Sequence, residues 1–243
     1  MKRKFSLLLV AITMLAMTSN DLFSQQLNFP RVKKAQKEKG DLVNQLLSSK
    51  GVSTSSYDLF IRAFKKEQKL EVWARTKGTG SYNLLKTYDF CATTGVLGPK
   101  RRSGDRQMPE GFYTVDFFNP QSNYFLSFRI NYPNKSDLVF ADKLNPGDNI
   151  FIHGDCVTIG CIPVGDDNIK ELYLMAAKAN ALNVHIFPAK LDAAGYQALR
   201  SEYASNAGLL DFWANLKSGF DAFENGNVVP TIEVDEAGKY IVK

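Results

Sequence analysis

The residues best suited to chemistry in this chain of 243 residues lie in one short stretch, residues 151–163. It holds His153, Cys156 and Cys161, which are one of the two histidines and two of the three cysteines. A thiol attacks a carbonyl as its thiolate, and a nearby imidazole that accepts the proton supplies that form. Glycines between His153 and Cys161 let the chain fold back. The pattern indicates thiol chemistry, with Cys161 as nucleophile and His153 as base.

Two glycines in the same stretch, Gly154 and Gly160, are suited to orient the side chains of His153 and Cys161. The backbone carbonyl of Gly154 is placed to hold Nδ1 of His153 and so fix the tautomer of the ring. Gly160 has no side chain to obstruct a reacting carbonyl. The backbone N–H groups of Gly160 and Cys161 are candidate donors to an oxyanion.

Two other interpretations of the stretch stay open from the residues alone. His153, Cys156 and Cys161 form a possible set of three zinc ligands, although no fourth ligand stands at the spacing of a structural site. Alternatively, Cys156 and Cys161 form a disulfide, which would make the loop structural or redox-active. The third cysteine, Cys91, falls in a predicted strand, and we interpret it as a small packing residue with no further role.

The first 24 residues have the pattern of a secretory signal peptide. A basic head precedes a run of about a dozen mostly apolar residues, which is too short to span a bilayer core of ~30 Å comfortably. We therefore expect export to the periplasm or cell envelope, with no stable membrane span after cleavage. An odd number of cysteines in such a compartment leaves at least one thiol outside any intramolecular pair.

Charge and composition exclude some classes of partner. The segment 1–24 carries three basic residues and one acidic residue, so its removal lowers the net charge from +5 to +3. No dense basic face interleaved with aromatic residues is visible, so we expect no nucleic-acid partner. The loop at residues 93–109 carries four cations and is either a mobile solvated loop or a reader of substrate carboxylates.

Hydrophobic periodicity divides the rest of the chain into three parts. We expect a helical extension over residues 25–56, a domain of period-two strands and one helix that holds the central motif over residues 57–190, and a helical extension ending in a hairpin over residues 191–243. The second histidine, His185, sits in a short apolar strand and is predicted to be a core residue.

The central motif resembles that of a known family. A strand ending in His153-Gly154 is followed by Thr158-Ile159-Gly160-Cys161, and upstream a Pro109-Glu110-Gly111-Phe112-Tyr113 segment enters a strand. These patterns are similar to the L,D-transpeptidase catalytic-domain family (YkuD-like), and most of all to its YafK-like murein branch. The similarity extends over roughly residues 59–188.

The resemblance implies a mainly β fold with flanking helices (α+β), built as a curled β-sandwich with helical N- and C-terminal extensions. It implies Cys161 as nucleophile and His153 as base, oriented by the Gly154 carbonyl, with Gly160 and Thr158 shaping the site. The thiolate would attack a peptidoglycan stem peptide and form a thioester, without metal or cofactor. An amine acceptor peptide or an envelope protein would then take the acyl group.

The chain departs from the family pattern at Pro163, where many members have Arg or Asn. Another side chain must then support the site, and our hypothesis is Arg106 or Arg102. Relatives of this branch also hydrolyse peptidoglycan bonds or peptidoglycan–protein links, so a hydrolase is the alternative function. A further alternative is a non-catalytic envelope-binding module locked by a Cys156–Cys161 disulfide.

Overall fold

A computed structural model describes residues 19–243 of the chain. The predicted basic head and apolar run of the signal peptide lie outside these residues. No helix within the described range is long and apolar enough to cross a membrane. The helices are α1 (Ser19–Gln26), α2 (Pro30–Ser49), α3 (Lys135–Phe140), α4 (Asp166–Lys178), α5 (Ala193–Glu202) and α6 (Ala207–Glu224). The strands are β1 (Tyr57–Phe64), β2 (Lys69–Thr76), β3 (Asn83–Asp89), β4 (Gly111–Asn119), β5 (Ser127–Ile130), β6 (Phe151–His153), β7 (Ile162–Pro163), β8 (Leu182–Phe187), β9 (Ile232–Val234) and β10 (Tyr240–Val242).

Eight strands form one mixed sheet in the order β3-β2-β1-β8-β4-β5-β6-β7, and β9 and β10 form the predicted terminal hairpin. Strand β8 lies between β1, which it pairs in parallel, and β4, which it pairs antiparallel. The first half of β4 pairs with β8 and the second half with β5, with an irregular register between Val115 and Phe117. A strand that changes partners across such an irregularity bends a sheet. The predicted α+β fold, a curled sheet with flanking helices, is confirmed.

Helices cover both faces of the central strands, which explains why every residue of β1 is buried. Successive side chains of a strand point to opposite faces. Leu59 and Ile61 accordingly join the core cluster that includes helices α2 and α4. Phe64 joins the cluster on the other face, where it meets Trp213 and Phe220 of α6.

His185 is a core residue, as predicted. Its side chain is 2% exposed, and the rings of Phe60 and Phe112 lie with their centroids 4.6 and 4.5 Å from that of the imidazole. Burial, helped by the charge of Arg62, lowers the pKa of His185 to about 3. The ring is therefore neutral at physiological pH and acts as an aromatic packing element.

Two elements differ from the prediction. The polar composition of residues 134–148 predicts a linker, but they contain helix α3. The Asn134 side chain accepts from the N–H of Asp137, whose carboxylate accepts in turn from the N–H of Asn134, and this reciprocal cap stabilises a short helix. Asp41 is a residue type that caps helices and so predicts a helix that begins there, but helix α2 begins at Pro30, because proline suits the first turn of a helix.

A buried ion pair fixes the long loop between β3 and β4. The Lys65 ammonium donates to Glu110 Oε1 at 2.8 Å and to the carbonyls of Gly98 and Met108. Glu110 also accepts from the N–H of Gly98 and, at 2.7 Å, from the indole N–H of Trp213. Neither Lys65 nor Glu110 is more than 6% exposed. Buried charges persist when their hydrogen bonds are satisfied, as they are here, so this cluster joins the loop to the sheet and to α6.

Hydrogen bonds to one carboxylate, that of Asp105, order the interior of the β3–β4 loop. The Asp105 carboxylate accepts from Lys100 Nζ at 2.6 Å and from the backbone N–H groups of Arg101, Arg102 and Gln107. These bonds hold the pKa of Asp105 below its ordinary value, against the opposing effect of burial. These hydrogen bonds make the loop an ordered segment, and its role as a reader of substrate carboxylates stays a prediction.

We expect Glu110→Gln to lower the free energy of unfolding by about 3–5 kcal/mol, because it leaves the buried Lys65 charge without its counter-ion. The exposed pair Lys66–Glu202, at 2.8 Å, provides a matched control. Glu202→Gln should cost no more than about 1 kcal/mol, since exposed ion pairs contribute little. Urea unfolding with an unchanged m-value measures both, and equal losses for the two variants would contradict the assignment.

Candidate active site

Strand register brings the predicted base and nucleophile onto neighbouring strands. Strands β6 and β7 pair in parallel, with Ile152 opposite Ile162 and His153 opposite Pro163. Continuing the register by one residue places Cys161 opposite Phe151, whose N–H approaches the Cys161 sulfur at 3.4 Å. Cys161 is therefore displaced from His153 by two residues of β6, or about 7 Å along the strand.

His153 is held in the form of a neutral base. Its Nδ1 contacts the Gly154 carbonyl, and since a carbonyl only accepts, Nδ1 must carry the proton. Nε2 is then the basic nitrogen, and it is buried without a hydrogen-bond partner among residues 19–243. The Tyr124 ring covers the imidazole at a centroid distance of 4.6 Å. Burial lowers the pKa of His153, although the Gly154 carbonyl and the charge of Asp155 oppose this effect.

Cys161 is a free, partly exposed cysteine whose thiol is also neutral at rest. Burial of the sulfur raises the pKa of Cys161, while the Phe151 N–H and the charge of Lys100 act in the opposite direction. Because His153 Nε2 has no partner, the two side chains share no hydrogen bond in this structure. Catalytic hydrogen bonds are often absent or long without substrate, so proton transfer between the two groups requires that they move closer together than they are here.

Both glycines of the site are required by close contacts. A Cβ on Gly154 would lie 2.6 Å from Asp166 Oδ1 and 2.8 Å from the Tyr124 carbonyl. Gly160 has a φ of +142°, and a Cβ there would lie 2.8 Å from the Gln107 carbonyl. Only glycine allows the loop between β6 and β7 to pack this closely on its neighbours.

Thr158 shapes the turn before the nucleophile. Its hydroxyl donates to the Cys161 carbonyl at 2.8 Å and accepts from the Gly160 N–H at 3.1 Å. The Gly160 N–H is thus engaged within the loop in this structure, and its role as a donor to an oxyanion stays a prediction. The N–H of Cys161 is the other candidate of the predicted pair.

The disulfide of this chain joins Cys91 to Cys156. The predicted alternative of a Cys156–Cys161 disulfide is therefore wrong, and so is a zinc set that needs Cys156 as a thiolate. The interpretation of Cys91 as a packing residue is wrong as well. It is exposed beyond the end of β3, where its N–H donates to the Pro163 carbonyl at 3.1 Å and so places it beside the loop. Across residues 19–243, no group of three or more His, Cys, Asp or Glu side chains is arranged to hold a metal ion.

A cavity of about 600 Å³ opens beside the Cys161 sulfur. Arg106 lines it, but Arg102 does not, so only one of the two predicted arginines faces the nucleophile. Lys100 also lines the cavity, and it is buried, whereas Arg106 is exposed. In the sequence Lys100 is one of four cations in the loop, and no spacing rule distinguishes a buried lysine from more exposed neighbours.

Comparison with known proteins gives matches over most of the chain. The family model for the L,D-transpeptidase catalytic domain (YkuD) matches residues 58–186. A protein of Escherichia coli strain K12 named "Putative L,D-transpeptidase YafK" is 35% identical over 191 residues, which cover 76% of this chain and 73% of that protein. The protein of the same name from E. coli O157:H7 gives the same figures.

Two solved structures with similar folds have lower sequence identity to this chain than the E. coli relatives do. The helical cell shape determining protein Pgp2 from Campylobacter jejuni superposes with a TM-score of 0.46 and 18% identity over 80% of each chain. L,D-transpeptidase 1 from Mycobacterium tuberculosis gives a TM-score of 0.30 and 16% identity, over 54% of this chain and 62% of the other.

Iodoacetamide should add one label to the folded, unreduced protein, and that label should map to Cys161. The labelling rate should rise with pH through an apparent pKa above the ordinary thiol value, because burial disfavours the thiolate. Intact mass, peptide mapping and rates across a pH series measure this, with Cys161→Ser as the unlabelled control. A rate that is already maximal near neutral pH would instead indicate a thiolate–imidazolium pair, and labels on Cys91 or Cys156 would contradict the disulfide.

Proposed function

The chain belongs to the L,D-transpeptidase catalytic-domain family, and on that premise we propose that it is an exported cysteine acyl-transfer enzyme acting on peptidoglycan stem peptides. The observation that carries the proposal is the pairing of β6 with β7. It puts a free thiol, Cys161, on the chain next to the strand of a neutral imidazole, His153, two residues away in register, and the Nδ1 of that imidazole is held by the Gly154 carbonyl.

The acylation step follows from these positions. His153 Nε2 accepts the proton of the Cys161 thiol, and the thiolate attacks the carbonyl carbon of the bond between the L-centre of the diamino acid and the next D-residue. The Cys161 N–H stabilises the resulting oxyanion. The tetrahedral intermediate then expels the amine of the D-residue, which takes the proton from His153. The products are a Cys161 thioester and the free D-residue or the peptide that it begins.

The second step consumes the thioester. An acceptor amine attacks the thioester carbonyl, His153 accepts a proton from that amine, and the returning Cys161 thiolate regains a proton from His153. Water in place of the amine gives hydrolysis through the same two residues, so transpeptidase and hydrolase differ here only in the acceptor. Every proton transfer uses His153, whose neutral resting form makes it competent as a base near neutral pH.

Two observations support export. The first 24 residues have the signal-peptide pattern, and the Cys91–Cys156 disulfide suits an oxidising compartment. The peptidoglycan substrate lies in the same compartment. The non-catalytic module considered from the sequence depended on a Cys156–Cys161 disulfide, which the structure lacks.

Incubation with muropeptides followed by mass spectrometry tests the activity. We expect the wild type to release a D-residue, form a cross-linked dimer or release a linked peptide, and each product identifies a different activity. Cys161→Ala should abolish the product, because it removes the nucleophile. Cys91→Ala/Cys156→Ala keeps Cys161 and serves as the cysteine-deleted control that should retain measurable turnover. Identical products from wild type and Cys161→Ala would refute the nucleophile.

Arg106 is our candidate for the supporting role that many family members give to the residue at Pro163. Arg106→Ala should lower kcat/KM by about tenfold or more, the effect expected from losing one charge-assisted hydrogen bond. Arg102→Ala should have a smaller effect, since Arg102 does not line the cavity. If the double alanine variant turned over substrate at the wild-type rate, the hypothesis would be dropped.

A further inference from the structure

Lys100 is the buried cation of the Cys161 cavity, and one of its donors is unused. The residue is 5% exposed, and its Nζ donates to Asp105 Oδ1 at 2.6 Å and to the Arg102 carbonyl at 2.8 Å. An ammonium has three N–H donors. No hydrogen bond from the third joins it to any residue in the range 19–243. The side chain nonetheless contributes to the cavity wall next to Cys161.

The surrounding chain is built to hold this ammonium in place. Asp105, which lies outside the cavity lining, is itself fixed by three backbone N–H groups. Gly147 makes room for the lysine stem: its φ is +84°, and a Cβ there would lie 3.0 Å from Lys100 Cε. The Tyr132 ring lies below, with its centroid 5.9 Å from Nζ. A side chain locked by its neighbours loses little entropy when it binds a ligand.

The charges of the cavity favour an anion close to the sulfur. Lys100 and Arg106 are its cationic side chains, and exposed Asp148 is its acidic one. The charge of Lys100 also lowers the pKa of Cys161, against the effect of burial, so its field reaches the nucleophile. Charge interactions are stronger at a buried group than at an exposed one, which solvent and salt screen. Lys100 should therefore contribute more than Arg106 to binding an anion.

We infer that Lys100 is a specificity-determining residue, whose third N–H binds a carboxylate of the acyl donor beside the bond that Cys161 attacks. This inference rests on the proposed function, which supplies a peptide donor. Two carboxylates of a stem peptide qualify: the terminal carboxylate of the D-residue, and the second carboxylate of a diamino acid that has one. In either case the enzyme would prefer donors with that carboxylate free over donors in which it is amidated.

Recognition of the donor can be measured apart from catalysis in a Cys161→Ala background, because a protein without the thiol cannot form the thioester. Isothermal titration would compare Cys161→Ala with Cys161→Ala/Lys100→Met. The probes are a stem peptide that ends in a diamino acid and a D-residue, and two analogues amidated at one carboxylate each. Cys161→Ala/Lys77→Met is the control, since Lys77 is an exposed lysine in the turn after β2. Urea midpoints verify folding, and Lys100→Gln, which keeps a donor for Asp105, replaces Lys100→Met if the latter does not fold.

The expected result is non-additivity. Lys100→Met and amidation of the correct carboxylate should each weaken binding by about 10- to 100-fold, and together by little more than either alone. The loss of affinity caused by amidation of the other carboxylate should multiply with the loss caused by the lysine substitution. This difference identifies the carboxylate that Lys100 binds. Losses that multiply for both analogues would show that Lys100 acts only on the fold and would overturn the inference. Absence of binding by the unmodified peptide would overturn it too, whereas the proposed function stands or falls on the muropeptide products.

Discussion

The buried ion pair between Lys65 and Glu110 is the interaction on which the site most depends. It joins β1 to the end of the β3–β4 loop and, through Trp213, to helix α6. The loop thus fixed carries two cavity cations, Lys100 and Arg106, and the Gln107 carbonyl on which Gly160 packs. This charge pair therefore helps to fix the segment on which the loop before Cys161 packs. Replacing one partner would leave a desolvated charge, so the pair is costly to break even where its formation adds little net stability.

The sheet and the loops contribute differently to the chemistry. Parallel pairing of β6 with β7 fixes the spacing of base and nucleophile, and it does so through backbone bonds that do not depend on side-chain identity. The loops supply charge, shape and solvent access around that fixed pair. Both reacting groups rest in neutral form because burial disfavours each charged state. In the mechanism that we propose, substrate binding excludes water and brings the thiol and the imidazole together.

The motif residues could be predicted from the sequence because they are close in the chain. His153, Gly154 and Cys161 lie within nine residues of the chain, so local spacing already implies that they belong to one site. Periodicity likewise predicted the central strands and the C-terminal helices. The partner of Cys156 could not be predicted, since Cys91 stands 65 residues away and three cysteines allow three pairings. The burial of Lys100 could not be predicted from the sequence either. It depends on contacts that only the folded chain shows, with Asp105 and with Gly147, which makes room for the lysine stem.

The disulfide between Cys91 and Cys156 closes a covalent ring within the chain. Residues 92–155 belong to the ring, and they include β4, β5, β6 and the cations of the cavity. His153 lies inside the ring, whereas Cys161 lies outside it, five residues after Cys156 in the chain. His153 and most of the cavity wall thus belong to one cross-linked segment, which Cys161 meets through backbone contacts such as the β6–β7 pairing and that of Gly160 with the Gln107 carbonyl. A cut in the backbone of the ring would leave the molecule in one piece, whereas a cut between Cys156 and Cys161 would leave His153 and Cys161 on two fragments that no covalent bond joins.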